Sequence, residues 1–252
     1  MDDNSTMELF WNEFADLPRQ GPGSKESTLQ AFSSIRNLPD RPVILDIGCG
    51  TGAQTLAIAE YNNKATVYAV DTHKLFLERL DSKTEKRNLG ERITVRHGDM
   101  SNLEFPEKKF DLIWSEGAIY IMGVEKGLTQ WRNYLKDNGY IAFTEVCWIK
   151  PDRPSELKQF WESEYPDIGT IEKNLEIIEE CGYELVDHFV LPASCWLDDY
   201  YIPLEKSLEQ LKIEHKNNKS FLDLVNSMEH EIEIFRKYSD YYSYVFFVTQ
   251  AV

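Results

Sequence analysis

Apolar residues in the middle of the chain alternate between short β-prone runs and stretches with helical spacing. Strands are predicted at 43–45, 65–70, 93–97, 110–114 and 138–148, and helices at 73–87, 117–122 and 128–135. Strand and helix therefore follow one another in five successive units. This order is typical of a parallel sheet with helices on both faces.

The pattern changes after residue 150, where polar positions become more frequent. A short helix is predicted around 156–161, an amphipathic helix at 171–180, a sixth strand at 183–191 and a last strand at 242–250. Between the last two strands, residues 192–238 have helical spacing with many charges and interleaved aromatic rings. We therefore expect an α/β fold with seven strands, mostly parallel, and a helical insertion before the last strand.

Length, charge and cysteine content narrow the class of protein. The 252 residues suit one α/β domain with insertions, and the net charge of −16 disfavours nucleic acid and anionic membranes as partners. No run approaches the roughly 20 apolar residues of a membrane span, and the acidic N-terminus does not resemble a signal peptide. Neither the four cysteines nor the five histidines show metal-ligand spacing. We expect a cytoplasmic protein without metal or membrane insertion, with a homodimer as one arrangement.

The most informative motif is the run Val-Ile-Leu-Asp-Ile-Gly-Cys-Gly-Thr-Gly at residues 43–52. An apolar strand ends in Asp46, three glycines follow at alternate positions, and a helix-forming segment comes next. Strand, glycine-rich turn and helix form the first unit of nucleotide-binding α/β sheets. Glycine is needed in such a turn because the backbone bends sharply and comes close to the ligand.

Two cofactor classes fit this motif. Gly48-x-Gly50-x-x-Ala53 satisfies a loose dinucleotide pattern, in which a pyrophosphate binds the helix N-terminus. The longer pattern, Asp-x-Gly-x-Gly-x-Gly, is that of class I S-adenosylmethionine-dependent methyltransferases, which this chain resembles. Asp46 favours the second class, because a carboxylate repels a pyrophosphate and suits the ammonium group of S-adenosylmethionine.

The resemblance covers residues 43–144 well and is strongest to the bacterial small-molecule branch of ubiquinone- and menaquinone-biosynthesis methyltransferases. It implies a Rossmann-like core that binds S-adenosylmethionine and transfers its methyl group to a small-molecule acceptor. The alternatives are an NAD-type oxidoreductase and a non-catalytic module that binds S-adenosylmethionine. The expected parts are a helical cap or lid at 1–40, the core at 41–191, a helical insertion covering the substrate at 192–240 and the last strand at 241–252.

Acidic residues end three successive predicted strands, where open α/β sheets bind their ligands. Asp71 is placed to accept both ribose hydroxyls, although it also suits a cap of the following helix. The resemblance implies that Asp99 accepts the adenine amino group and that Met100 packs on the base, while Asp99 alone also suits a plain turn. It also implies a backbone contact of Ser115 with the methionine end. The expected cofactor-binding residues here are Asp46, Gly48, Cys49, Gly50, Asp71, Thr72, Asp99, Met100 and Ser115.

A second candidate for cofactor binding is the segment 18–24, Pro-Arg-Gln-Gly-Pro-Gly-Ser, ahead of a helix capped by Ser24. Some methyltransferases close a loop of this sort over the methionine carboxylate, and Arg19 or Gln20 is the expected partner of that group. We therefore expect this segment to become ordered when the cofactor binds. The alternative is a surface linker.

Methyl transfer by in-line attack requires the protein mainly to hold the two reactants in line. A base is needed only where the nucleophile loses a proton, and the candidates are Glu116, Tyr120 and Glu145. The acceptor site is expected to be aromatic and mildly anionic, which suits a planar or amine-bearing molecule. Its candidate residues are Trp148, Trp196, Tyr200 and Tyr201. Alternatively, Glu116 belongs to a capped helix start, and the aromatic rings dock the insertion onto the sheet.

Overall fold

The central sheet has eight strands in the computed structural model, which describes residues 10–252. They are β1 (Val43–Ile47), β2 (Thr66–Asp71), β3 (Ile93–His97), β4 (Phe110–Ser115), β5 (Leu135–Trp148), β6 (Gly169–Thr170), β7 (Tyr183–Val190) and β8 (Tyr242–Ala251). Seven of them form the path β3-β2-β1-β4-β5-β8-β7, and β6 pairs with β5. The predicted α/β sheet is confirmed. The predicted count of seven is one too low, because β6 has two residues and no apolar run.

The strands are mostly parallel. β1 pairs in parallel with β2 and β4, β2 pairs with β3, and β4 pairs with β5. The last strand, β8, runs antiparallel between β5 and β7, and it enters the sheet after the helical insertion, as predicted. The strand β1 is almost wholly buried because both faces of the sheet are covered.

Helices lie on both faces of the sheet. They are α1 (Lys25–Ser34), α2 (Ala53–Tyr61), α3 (Lys74–Lys86), α4 (Val124–Trp131), α5 (Ser155–Glu164), α6 (Ile171–Glu180), α7 (Ile202–Glu214) and α8 (Lys219–Tyr238). One apolar cluster joins the sheet to α1, α2, α3, α7 and α8, and a second joins the opposite face to α4 and α6. The insertion therefore packs on the same face as the helix that follows the glycine loop.

Two predicted helices differ from those of the structure. The stretch 117–122 contains only the 3-10 turn Ile119–Ile121, because glycines with positive φ at 117 and 123 limit it on both sides. The predicted helix 128–135 is replaced by α4 and the 3-10 turn Arg132–Tyr134. The strand β5 then begins three residues earlier than predicted, because Leu135 pairs with Phe110 of β4.

The region before β1 is described from residue 10. The part of the expected cap at 1–9 lies outside the described residues, and residues 10–14 are helical. The predicted cap of α1 is confirmed, since the Ser27 N–H donates to the Ser24 hydroxyl and the Ser24 N–H donates to the Ser27 hydroxyl. None of the helices between residues 10 and 252 has the length and apolar content that crossing a membrane requires.

Candidate functional site

A cavity of about 390 Å³ opens where β1, β2 and β4 end, and we name it the glycine-loop cavity. This is the edge at which open parallel sheets bind ligands. Its wall combines the loop after β1, the end of β2, the segment after β4 and the N-terminal segment. The residues concerned include Phe10, Trp11, Phe14, 19–22, 47–50, Gln54, 70–73, Met100, 116–118, Tyr120, Tyr200 and Glu231.

The loop after β1 requires glycine for two reasons, which are positive φ angles and a close approach to Ala118. Gly48 and Gly50 have φ angles of +71° and +53°, which side chains disfavour. A Cβ atom on Gly48 would lie 2.3 Å from the Ala118 Cβ atom, far inside van der Waals contact. The N–H groups of Gly48 and Cys49 donate to the Val70 carbonyl at 2.9 and 3.1 Å. The loop is therefore fixed to β2 and is narrow where it passes the segment after β4.

The Asp46 side chain is buried against the first turn of α2. Its carboxylate accepts hydrogen bonds from the Thr55 hydroxyl and, at 3.3 Å, from the Gln54 amide. Burial raises the pKa of Asp46 to about 7, and these two bonds oppose that shift. Gln54 lines the glycine-loop cavity, whereas Asp46 does not. Asp46 thus holds α2 against the loop, and its contact with an ammonium group stays a prediction.

Asp71 ends β2 in the wall of the glycine-loop cavity. Its carboxylate accepts hydrogen bonds from the N–H groups of Gly50 and His73, both at 2.9 Å. It therefore braces the loop and also the chain just before α3, as the capping alternative predicts. Thr72 and Cys49 line the same cavity, and burial raises the pKa of the Cys49 thiol. The contact of Asp71 with ribose stays a prediction.

The glycine-loop cavity is lined by only one of three further candidates, which are Asp99, Met100 and Ser115. Met100 lines it, whereas the exposed Asp99 carboxylate accepts hydrogen bonds from the Ser101 N–H and hydroxyl, both at 2.7 Å. These bonds hold the pKa of Asp99 below its usual value. Ser115 is fully buried, and its hydroxyl donates to the Ile47 carbonyl at 3.1 Å. Of these three only Met100 lies in the wall, and the contacts expected of the other two stay predictions.

Arg19 of the N-terminal segment and Glu116 after β4 form a buried ion pair. Arg19 Nη1 lies 3.0 Å from Glu116 Oε2, and Arg19 Nη2 donates to the Thr28 hydroxyl at 3.1 Å. Glu116 Oε1 accepts from the Thr28 hydroxyl at 2.7 Å and from the Trp114 indole at 2.9 Å. Both oxygens of Glu116 are therefore occupied by groups of the protein, which argues against the role of base predicted for it. The ligand contact expected of Arg19 stays a prediction.

Gln20 ties the N-terminal segment to the glycine loop. Its Nε2 atom donates to the Phe14 carbonyl at 3.0 Å, and its Oε1 atom accepts from the Thr51 N–H at 2.9 Å. Further along, the Gly23 N–H donates to the Cys195 carbonyl at 2.9 Å. The segment thus connects the loop after β1 with the helical insertion. Its ordering by the cofactor stays a prediction.

A second cavity of about 230 Å³ adjoins the first, and we name it the aromatic cavity. Tyr120, Tyr200 and Glu231 line both cavities. Its aromatic residues are Tyr120, Phe160, Trp161, Tyr165, Trp196, Tyr200 and Tyr244, and its acidic residues are Glu164 and Glu231. Among residues 10–252, no Lys, Arg or His side chain lines this cavity. The cavity is therefore aromatic and acidic in character.

The predicted acceptor residues divide into two groups. Trp196 and Tyr200 line the aromatic cavity. Tyr201 is fully buried behind its wall, where its hydroxyl donates to Glu231 at 2.7 Å. Trp148 lies in the apolar core, where its ring packs edge to face against those of Trp161 and Tyr242. The structure thus brings Trp196 and Tyr200 to the cavity, and it does not bring Trp148 or Tyr201 there.

Other wall residues were missed by the sequence analysis. They are Gln54, Phe160, Trp161, Tyr165, Glu164, Glu231 and Tyr244. Glu231 has a recognisable signal, because it follows Met228 and precedes Phe235 at helical spacing within the apolar stripe of α8. A carboxylate in such a stripe indicates a buried polar site. Phe160 and Trp161 follow Leu157 at helical spacing, which predicts a buried face of α5 but not the cavity that this face lines.

A third cavity of about 710 Å³ is lined by Glu145, and we name it the Glu145 cavity. Glu145 is 2% exposed, and within residues 10–252 its Oε2 atom has no hydrogen-bond partner. Burial raises the pKa of Glu145 to about 8, and a hydrogen bond with Tyr165 opposes that shift. Tyr120 lines all three cavities. Two of the three predicted bases, Tyr120 and Glu145, therefore border the same space.

Comparison with known proteins relates this geometry to a family. Residues 44–139 match the family model described as a methyltransferase domain. The chain is 27% identical over 212 residues to a phosphoethanolamine N-methyltransferase of Plasmodium falciparum, covering 80% of this chain and 73% of that protein. Its fold is similar to that of a SAM-dependent methyltransferase from Geobacter sulfurreducens in complex with S-adenosyl-L-homocysteine. The TM-score is 0.84 at 18% identity, covering 97% of this chain and 98% of that one.

The chain contains a methyltransferase domain at residues 44–139, and its activity is S-adenosylmethionine-dependent methyl transfer. Its fold follows from the structural likeness, and its activity follows from the family model and the Plasmodium relative. S-adenosylmethionine is the cofactor, so the prediction from the Asp-x-Gly-x-Gly-x-Gly motif is confirmed. The two alternatives, an NAD-type oxidoreductase and a non-catalytic binding module, are set aside.

The relatives define the methyl acceptor less sharply than they define the methyltransferase activity. The chain is 28% identical over 121 residues to a demethylmenaquinone methyltransferase of Lactobacillus johnsonii, covering 47% of this chain and 48% of that protein. It is 33% identical over 121 residues to probable protein arginine N-methyltransferases 6.2 of Oryza sativa, of which it spans 27%. The relatives thus agree on methyl transfer and differ in the acceptor.

Asp71→Ala is expected to weaken the binding of S-adenosylhomocysteine by about 1–3 kcal/mol, because a charged acceptor for the ribose hydroxyls is lost. Calorimetric titration measures this Kd. Asp81→Ala, at an exposed position of α3, serves as the control. Asp71→Asn keeps an oxygen for the Gly50 N–H, loses the acceptor of the His73 N–H and removes the charge. Unchanged affinity in both Asp71 variants would refute the ribose assignment.

Proposed function

We propose that this enzyme transfers the methyl group of S-adenosylmethionine to the nitrogen of a small, unphosphorylated amine held in the aromatic cavity. The observation that carries the proposal is the wall itself, in which seven aromatic side chains and two carboxylates surround about 230 Å³. Aromatic faces and carboxylates both attract cations. An amine is the methyl acceptor that carries a positive charge in neutral water.

The relation between the two cavities supports in-line transfer. Tyr120, Tyr200 and Glu231 line both, so a cofactor in one and an amine in the other approach each other at these side chains. The N–C bond forms from the nitrogen electron pair while the C–S bond breaks and leaves its pair on sulfur. Holding the two reactants in this geometry contributes up to roughly 7–11 kcal/mol to catalysis.

We assign acceptor binding and cofactor retention to different segments of the chain. The insertion at 192–240 supplies Trp196, Tyr200 and Glu231, and we assign it to acceptor binding. The segment 18–24 contacts the glycine loop through Gln20, and we assign it to cofactor retention. The insertion and the N-terminal segment, both expected from the sequence, are thus assigned to different ligands.

Two other acceptors suggested by the relatives suit this cavity less well. A phosphorylated amine, named for the Plasmodium relative, needs cations for its phosphate. Among residues 10–252 none lines the aromatic cavity. A quinol, which the menaquinone branch would imply, stacks on aromatic rings but reacts through an electron-rich, anionic form that Glu164 and Glu231 repel. The net charge of −16 also disfavours a nucleic-acid acceptor.

The proposal is tested by measuring S-adenosylhomocysteine formation with a panel of acceptors. The panel contains primary, secondary and tertiary unphosphorylated amines, phosphoethanolamine, a phenol and a short-chain quinol. We expect the highest kcat/KM with an unphosphorylated amine. Faster turnover of phosphoethanolamine, the phenol or the quinol than of every amine would contradict the proposal.

Glu231→Gln is expected to raise the KM for the amine by about 10- to 100-fold, because a hydrogen bond to a charged group contributes about 1.5–3 kcal/mol. The Kd for S-adenosylhomocysteine is expected to change far less. Glu233→Gln lies on the same helix at an exposed position and serves as the matched control. Equal KM values in the two variants would place the amine elsewhere.

A further inference from the structure

Tyr120 lies where the three cavities meet, since it lines each of them. Its ring centroid is 5.9 Å from that of Tyr165, and the two rings are arranged edge to face. Tyr165 lines both the aromatic cavity and the Glu145 cavity. Two phenol side chains therefore separate the proposed amine site from the space in which Glu145 lies.

Glu145 has no structural task that explains its burial. It lies within β5 beside Tyr165, and its Oε2 atom has no hydrogen-bond partner among residues 10–252. A buried carboxyl oxygen without a partner is costly and calls for a functional explanation. The Glu145 cavity extends to charged side chains on its other side, which are Glu125, Lys126, Asp167 and Lys173.

We infer that Tyr120, Tyr165 and Glu145 form a path that carries the proton of the acceptor amine away from the reacting nitrogen and releases it in the Glu145 cavity. This inference rests on the proposed methylation of an amine. It gives the Glu145 cavity a function distinct from cofactor and acceptor binding. Glu116 does not compete for the proton, because Arg19, Thr28 and Trp114 occupy both of its oxygens.

Methyl transfer to the amine with loss of its proton needs no further reagent. The amine enters as an ammonium ion and gives up one proton, which water in the adjoining cavities relays past the Tyr120 and Tyr165 hydroxyls to Glu145. The Glu145 carboxylate becomes a carboxylic acid, and the nitrogen keeps the freed electron pair. That pair forms the N–C bond, and the C–S pair stays on sulfur as a neutral thioether. Glu145 then loses its proton to solvent in the Glu145 cavity.

The charge state of Glu145 decides when this path operates. The titratable groups that face its carboxyl are Tyr120, Tyr165, Tyr244 and, on its own strand, Cys147. Burial raises the pKa of Glu145 to about 8. Only the ionised form accepts a proton, so the path becomes available as the pH rises through about 8. Below this value the carboxyl is already protonated, and turnover falls.

The test is the pH dependence of kcat at saturating amine, measured for two amines of different basicity. For the wild type we expect kcat to rise to a plateau with the same midpoint, about pH 8, for both amines. Glu145→Gln is expected to lose this rise and about 10²-fold of the plateau rate, with KM and the Kd for S-adenosylhomocysteine unchanged. Tyr165→Phe is expected to behave similarly.

Two controls keep the result interpretable. Tyr183→Phe removes the hydroxyl of another buried tyrosine, which donates to the Leu128 carbonyl at 2.9 Å, and is expected to keep the wild-type profile. Glu145→Asp keeps a carboxyl and is expected to retain the pH-dependent rise at a lower rate. A midpoint that follows the basicity of each amine, or an unchanged profile in Glu145→Gln, overturns the proton path alone. Absence of turnover with every amine refutes the proposed function instead.

Discussion

The Glu116→Gln variant is expected to have a free energy of unfolding about 3–5 kcal/mol below that of the wild type. The substitution removes the negative partner of Arg19, whose side chain is only 7% exposed, and leaves a buried cation unpaired. Glutamine has nearly the same shape as glutamate, so packing is preserved. The Trp114 indole and the Thr28 hydroxyl keep an amide oxygen as acceptor. The decrease in the free energy of unfolding therefore reports how much the negative charge of Glu116 contributes to stability.

Urea unfolding at neutral pH gives the required free energies. Asp40→Asn breaks the exposed pair with Lys64 and is expected to leave the free energy of unfolding nearly unchanged, since solvent screens such pairs. The double variant Arg19→Met with Glu116→Gln removes both charges and is expected to regain most of the lost stability. A cost for Glu116→Gln as small as that of Asp40→Asn would show that the ion pair is not closed in solution.

Gly48→Ala is expected to lower the free energy of unfolding by about 2–5 kcal/mol and to weaken S-adenosylhomocysteine binding by more than about tenfold. Two costs combine at this position. The φ angle of +71° strains a residue with a side chain, and the new Cβ atom would lie 2.3 Å from the Ala118 Cβ atom. Neither atom is able to rotate away, so the backbone of the loop has to move.

A second substitution separates the two costs. Ala118→Gly removes the atom that the new Cβ meets. The double variant Gly48→Ala with Ala118→Gly is therefore expected to regain the stability lost through this contact, but not the stability lost through the φ strain. Gly90→Ala is the control, because its φ is not positive and, chain neighbours aside, no heavy atom of residues 10–252 lies within 4 Å of the added Cβ. We expect it to leave both measurements nearly unchanged. Wild-type cofactor affinity in Gly48→Ala would contradict the narrow passage between the loop and Ala118.

The fold and the cofactor loop were predictable because their signals are local. Strand runs, helical spacing and the glycine motif lie within a few residues of one another, and the capping serine of α1 needs only its own first turn. Asp71 shows the limit of this reasoning. Its position at a strand end was predicted, but its bonds to the Gly50 and His73 N–H groups depend on how the loop returns past the strand.

The acceptor side was harder to predict because it is assembled from distant segments. Arg19 and Glu116 are 97 residues apart, and each was interpreted separately as a group that meets a ligand. The aromatic cavity combines Trp161 of α5 with Glu231 of α8 and Tyr244 of β8. Periodicity assigns such residues to a face of a helix or strand, but it does not say which distant face they meet.

Gln20, Gly21 and Pro22 line both the glycine-loop cavity and the aromatic cavity. One short stretch of backbone is therefore a common wall of both binding sites, and displacing it changes access to both. Exchange of the spent cofactor and exchange of the methylated product are for this reason kinetically linked. The rate at which this wall opens sets an upper limit on turnover, whatever the reactivity of the amine.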